Sequence, residues 1–191
     1  IQKLAHEMME ITSHDNLKLK AVYYPSNKER NVTVICIHGY TSHAEREWAF
    51  AGLFYLSLGY NVLIPYQRAH GMSEGKYISF GALEHLDMLE WVRKINEMNP
   101  DDRIIIHGLS MGGGIALDLV DKGLVTDQLV LTVSYDIENL TDPERRKKYK
   151  GPVTTDPYGR KIPKHAHGTA NLKEKTSSSR LLSEAVLSLY D

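Results

Sequence analysis

Runs of apolar residues separated by turn-forming ones divide this chain into elements. In residues 17–24, Leu17, Leu19 and Ala21 alternate with Lys18 and Lys20, the period of a strand with one covered face. Residues 8–12 precede it across His14-Asp15-Asn16, and the pair predicts a hairpin. Val32-Thr33-Val34-Ile35-Cys36-Ile37, Asn61-Val62-Leu63-Ile64-Pro65 and Arg103-Ile104-Ile105-Ile106-His107 are different: each is a nearly continuous apolar run rich in β-branched residues. Such runs predict strands buried on both faces of a parallel sheet. Between them apolar residues recur at helical spacing, first Trp48, Ala51, Gly52, Tyr55 and Leu56 before Gly59, then Leu86, Leu89, Val92 and Ile95 before Pro100. Strands alternating with helices in this way predict an α/β fold, a parallel sheet with helices on both faces.

The pattern continues to the end of the chain. Leu129 to Val133 predict one more buried-type strand, placed to extend the same sheet. In residues 179–190 Leu181, Leu182, Ala185, Val186, Leu189 and Tyr190 fall on one helical face, with Ser177 or Ser178 as the N-cap.

Composition narrows the class. The chain has 191 residues, 42% hydrophobic and 25% charged, as in ordinary globular proteins. No stretch approaches the ~18 consecutive apolar residues of a membrane span, and the first twenty residues lack a basic start followed by an apolar run. The expectation is a protein with no membrane association. The single cysteine, Cys36, rules out an intrachain disulfide and fits a reducing, cytoplasmic setting. A start at Ile1 rather than Met suggests a fragment. Up to residue 125 there are 12 basic and 15 acidic residues, a balance of −3; beyond it 11 and 9, a balance of +2. The later basic residues cluster in Arg145, Arg146, Lys147, Lys148 and Lys150, and in Arg160, Lys161 and Lys164, a pattern that suits either a solvated face or phosphate contacts.

The most specific chemistry follows the strand at residues 103–107. Gly108-Leu109-Ser110-Met111-Gly112-Gly113-Gly114 is G-x-S-x-G between a buried strand and a helix. A serine at the tip of so sharp a turn takes strained dihedrals, and its neighbours must lack side chains. The turn lifts Ser110 Oγ clear of the sheet and puts the Met111 NH at a helix N-terminus, where it can bind an oxyanion. His38-Gly39-Tyr40-Thr41 follows the strand Val32–Ile37, where a loop NH, that of Tyr40, would supply the second donor. His38, His70 and His107 stand at or just past strand ends, where they can cluster or brace these loops.

With these motifs in hand, residues 1–115 resemble the N-terminal half of an α/β-hydrolase, close to the bacterial carboxylesterases and peptidase-like hydrolases. The resemblance rests on His38-Gly39-Tyr40-Thr41-Ser42, on Arg68-Ala69-His70-Gly71-Met72-Ser73-Glu74-Gly75 and on Gly108-Leu109-Ser110-Met111-Gly112-Gly113, in the family's order. It implies a serine hydrolase acting on small esters or amides without a cofactor or metal: Ser110 is the nucleophile, and Met111 and Tyr40 form the oxyanion hole. Tyr66 stands where the family usually has an Asp that orders the following loop.

Residues 117–191 carry a second resemblance, to the little finger of Y-family DNA polymerases of the UV-damage-repair type. It rests on residues 117–140, Tyr149-Lys150-Gly151-Pro152-Val153-Thr154-Thr155-Asp156, residues 163–172 and residues 176–182. The chain then reads as a chimera of two truncated domains, residues 1–115 and 116–191, joined near residues 114–117. In the alternative function it is a DNA-binding fragment without polymerase activity, in which Arg145, Arg146, Lys147, Lys148, Lys150, Arg160, Lys161 and Lys164 meet phosphates. For a triad within the chain, the arrangement that best fits the chain order of this fold is Ser110, an acid such as Asp156, and then His165 or His167. His165-x-His167 has no third ligand near it in sequence, so no metal site is expected there.

Overall fold

A hairpin opens the chain: β1 (Glu7–Thr12) and β2 (Lys18–Tyr24) pair antiparallel across a turn in which Asn16 takes a left-handed φ of 65°. The computed structural model describes residues 1–27, 30–120, 126–133, 137–155 and 159–190. They divide into two compact units, Ile1–Leu124 and Val125–Asp191.

In the first unit β3 (Val32–Ile37), β4 (Asn61–Pro65) and β5 (Arg103–Gly108) run parallel, and β2 joins them antiparallel through β4. The sheet order is β1-β2-β4-β3-β5. The helices are α1 (Ala44–Glu47), α2 (Ala49–Ser57), α3 (Glu84–Met98) and α4 (Met111–Val120). One face of the sheet presents Leu19, Ile35, Ile37 and Leu63 to Met88, Trp91 and Ile95 of α3 and to Ile115 and Leu119 of α4. The other presents Val22, Tyr24, Val34, Cys36, Val62 and Ile64 to Ala44 and Trp48. Alternate residues of β3 therefore enter opposite cores, which is why the run has no polar face. Trp48 interrupts the expected helix: its backbone (φ −91°, ψ 6°) leaves the helical region while its side chain is fully buried, so α1 ends and α2 begins there. The change of character read at 115/116 falls inside α4, which buries Ile115 and Leu119 in the same core.

The second unit comprises β6 (Thr126–Val133), α5 (Glu138–Thr141), α6 (Pro143–Lys148), β7 (Val153–Thr155), β8 (Lys161–Pro163), β9 (Ala166–Thr176) and α7 (Ser179–Tyr190). Here one expectation is corrected. β6 does not extend the parallel sheet; it pairs antiparallel with β9, and β7 pairs with β8. The reason lies in its alternation: Leu129 and Leu131 are half-buried while Val130 and Thr132 are exposed, a strand with one covered face. The helix α7 packs on this pair, and Ser178 caps it as expected, accepting the Leu181 NH at Oγ (3.4 Å). Among the described residues β5 is an edge strand of the larger sheet.

Candidate active site

The turn between β5 and α4 is shaped by two glycines. A Cβ on Gly108 would lie 2.1 Å from the Gly112 carbonyl oxygen, and one on Gly112 would lie 2.2 Å from the Ile37 carbonyl oxygen. Between them Ser110 adopts a left-handed φ of 53° and is exposed. The Gly113 NH donates to the Ser110 carbonyl (2.9 Å) and the Gly112 NH to that of Leu109 (2.8 Å), so the chain tightens directly into α4. Met111 is the first helical residue, and its NH is one of those without an acceptor inside the helix.

The loop after β3 meets this turn. A Cβ at Gly39 would stand 3.4 Å from both Ser110 Cβ and the Leu109 carbonyl oxygen, so the backbone leading into Tyr40 passes beside the Ser110 turn. Glu47 fixes that backbone by accepting the Gly39 NH at 2.7 Å. His38 is fully buried; its Nε2 accepts the Gln67 NH (3.2 Å), so Nδ1–H donates to the Gly39 carbonyl (2.8 Å). Burial holds the His38 pKa below the usual histidine value. With both nitrogens engaged it is a brace rather than a proton acceptor for serine.

The third loop, residues 66–75, is pinned to both. Arg68 is almost fully buried and makes a bidentate pair with Asp87 (2.7 and 2.8 Å), while its Nη atoms reach Asp15 (3.0 and 3.1 Å). Tyr66, in place of the family's Asp, keeps the loop ordered by other means. Its ring fills the space a Cβ on Gly71 would occupy, its OH donates to Glu45 (2.6 Å), and its carbonyl accepts Ser73 Oγ (2.6 Å). His70 stacks edge-on against His38 with centroids 4.7 Å apart. His107 does not join them: it bonds Tyr55 OH (2.7 Å) and packs on Trp48. Each of the three motif loops holds one non-glycine residue at positive φ, namely Thr41, Ala69 and Ser110, the kind of strain that gathers at functional sites.

Several of these supports have no signature in the sequence motifs: Glu47, the Asp15–Arg68–Asp87 network, and Glu84. The fully buried Glu84 accepts the NH groups of Ser79 (2.7 Å) and Gly81 (2.8 Å) and the hydroxyl of Ser79. Ser79 and Glu84 are five apart rather than the three of a capping box, so no capping pattern marks the pair. His14, Asp15 and Asp87 lie close enough together to suggest a cation site, but Arg68 already engages both carboxylates.

Two of the carboxyls titrate low. Asp15 is held well below the usual range chiefly by hydrogen bonds from Arg68, then from Ser13. Burial of Glu84 opposes its ionisation, but the donors of Ser79 and Gly81 prevail and lower its pKa. Depressed carboxyl pKa values mean that the unfolded chain binds more protons in acid. The stability they confer is full above the ordinary carboxyl pKa of about 4 and is lost as pH falls through it. His38 and His107, whose pKa values burial lowers, add a loss that begins as pH falls through the ordinary histidine value of about 6.5. Urea midpoints should therefore be level only above about pH 7, decline below it, and fall further from about pH 4 to pH 2; a midpoint that rises on acidification would contradict these ionisation states.

The remaining candidates lie elsewhere. Asp156 is outside the described residues. His165 precedes β9, and His167 on β9 is bonded through Nδ1 to Thr132 Oγ1 (3.0 Å). Among the described residues no histidine or carboxylate is hydrogen-bonded to Ser110 Oγ. On α6, Arg145 pairs with Glu138 (2.8 Å) and Lys147 with Glu144 (2.7 Å), while Arg146 and Lys148, and Lys150 just beyond the helix, are exposed. Arg160 and Lys164 are exposed, and Lys161 bonds Thr155 Oγ1 (2.8 Å).

A sheet in this order, with a serine at positive φ between the parallel strand β5 and the helix α4, defines the class: an α/β-hydrolase of the serine type. More particularly, the family described as serine aminopeptidase, S33 (Hydrolase_4) matches residues 28–133, and the chain belongs to that family. The uncharacterized protein YqkD of Bacillus subtilis is 38% identical over 100 residues, 52% of this chain and 32% of that protein. Among solved structures, the esterase Pf2001 of Pyrococcus furiosus is 35% identical with a TM-score of 0.58, over 63% of this chain and 48% of that one. An alpha-beta serine hydrolase homologue from Coxiella burnetii shares the fold at 22% identity (TM-score 0.55), over 61% of this chain and 58% of that one. The chain thus spans about a third to a half of the length of YqkD and Pf2001. The family match runs past the expected junction to residue 133, and these comparisons lend no support to the polymerase resemblance, the chimera or a nucleic-acid partner. Among the described residues no helix is long and apolar enough to cross a membrane.

Proposed function

We propose that this chain carries the nucleophile and oxyanion hole of a serine hydrolase that acts on carboxylic esters or amides. The observation that carries the reading is the position of Ser110: exposed, at φ 53°, on a turn whose flanking residues can only be glycine, at the start of α4. In this reading Ser110 Oγ attacks the substrate carbonyl and a C–O bond forms. The carbonyl electrons move to the oxygen, which the NH groups of Met111 and Tyr40 stabilise. The tetrahedral intermediate collapses by breaking the bond to the leaving alcohol or amine, which takes the proton originally lost by Ser110. Water then hydrolyses the acyl-enzyme.

The proton relay requires a histidine and an acid, which in this fold follow the serine in the chain. The candidates that follow Ser110 in that order are an acid such as Asp156 and then His165 or His167; among the described residues none is hydrogen-bonded to Ser110, and His167 is bonded to Thr132. Hydrolysis of 4-nitrophenyl acetate by the full chain tests the assignment. Ser110→Ala should reduce the rate to the buffer background. His165→Ala and His167→Ala should leave it unchanged, His167 being already engaged with Thr132; a tenfold loss in either would place the base in this chain. Full activity in Ser110→Ala would remove the nucleophile assignment.

A further inference from the structure

Two aromatic rings stand in the open beside the nucleophile turn. Tyr40 and Phe80 are 52% and 69% exposed, and they stack on one another with centroids 5.1 Å apart and planes 26° from parallel. They come from separate loops, one beside the Ser110 turn and the other against α4, the helix that begins at that turn. Tyr40 follows Gly39, whose backbone abuts Ser110 and Leu109. Phe80 precedes Gly81, where a Cβ would lie 2.9 Å from Asp118 Oδ2 and 3.9 Å from Ile115 Cγ1, both on the helix that begins at the turn.

Phe80 is also held in an unfavourable conformation. Its φ is 52°, which a bulky residue rarely adopts. The Glu84 carboxylate keeps it there by clamping Ser79 and Gly81 on either side, and Ser79 Oγ accepts the Leu83 NH (2.8 Å). A large aromatic exposed at a strained φ and braced by a fully buried carboxylate is a local cost of the kind that gathers at functional sites.

We propose that the Tyr40–Phe80 pair is the platform on which a flat apolar group of the substrate stacks, and that it makes the site selective for esters or amides bearing such a group next to the scissile carbonyl. The proposal rests on the serine-hydrolase reading, which places the carbonyl at Ser110 and the Tyr40 NH. The Tyr40 side chain then starts at the oxyanion hole itself, and the stacked rings extend the wall away from it. Aromatic rings prefer offset stacking on such a surface, which an aliphatic chain of equal area does not reproduce.

Butyrophenone, an unreactive ketone with one aromatic arm, separates this proposal from the chemistry. It is titrated into the full chain with binding followed by NMR, so that no turnover is needed. Shifts should centre on Tyr40 and Phe80. Phe80→Gly should weaken the ketone about threefold to tenfold; because glycine accepts a positive φ without strain, the variant loses the ring and not the fold. Tyr40→Ala should do the same, Phe80→Tyr and Tyr40→Phe should retain binding, and Ser110→Ala should bind as the parent does. Methyl benzoate and phenyl acetate, run as competing ligands of the Ser110→Ala chain, show whether the ring sits on the acyl or the leaving side. An unchanged Kd in Phe80→Gly, or no binding up to the solubility limit, overturns the platform. Ketone binding that depends on Phe80 in a chain whose Ser110 never reacts would instead overturn the hydrolase reading.

Discussion

Gly112→Ala should leave the first unit unable to fold stably. The new Cβ would sit 2.2 Å from the Ile37 carbonyl oxygen and 2.8 Å from that of His38, both of them backbone atoms at the end of a fully buried strand. Relief requires moving β3 or α4, and both are packed into one core. Overpacking of this kind costs about 3 kcal/mol or more, against a total stability of about 5–15 kcal/mol for a domain. Thermal unfolding followed by circular dichroism should show a midpoint lowered by about 10 °C or more, or no cooperative transition. Gly114→Ala is the internal control. Its Cβ would meet nothing within 4 Å, so in α4 it should raise stability by about 0.5–1 kcal/mol. Equal behaviour of the two variants would mean that the turn is not packed as described.

Arg68→Met should be the other large effect. The Asp87 side chain is fully buried and that of Arg68 only 4% exposed, so removing the guanidinium strands a carboxylate in the core. Breaking a buried pair in this way costs about 3–5 kcal/mol, whereas replacing both partners by apolar residues is often close to neutral. Arg68→Met alone should lower the urea midpoint sharply, and Arg68→Met with Asp87→Leu should recover most of the loss. The double variant also asks what the pair is for: it restores apolar packing but not the tie to Asp15 (3.0 Å) that joins the 66–75 loop to the hairpin turn. A single variant as stable as the parent would show that the network does not hold the loop.

What could be read from the residues alone was whatever is local. β3 and β4 are continuous apolar runs because both faces are buried, and that burial is visible as composition; β5 has the same composition but, at the sheet edge among the described residues, is only half-buried. The nucleophile turn is legible because Gly108 and Gly112 sit four apart in one segment and steric need fixes their identity. Pairings across distance left no such mark. Arg68 finds Asp87 19 residues on and Asp15 53 residues back, and Tyr40 meets Phe80 across two loops. β6 was misread for a related reason: Leu129, Leu131 and Val130 look like one apolar run, and only its partner β9, beginning at Ala166, shows that Val130 faces outward. The acid and base were no more legible, since chain order restricts them to residues after Ser110 but does not choose among them.

The nucleophilic character of Ser110 is the claim on which the rest depends, and a fluorophosphonate probe reads it directly. The full chain is incubated with the probe, its intact mass is measured, and the adduct is located by peptide mapping. On the proposed reading Ser110, at a left-handed φ of 53° and exposed, should form one adduct, on its own peptide, and Ser110→Ala should form none. Adducts spread over other serines, or the same labelling in Ser110→Ala, would contradict the account.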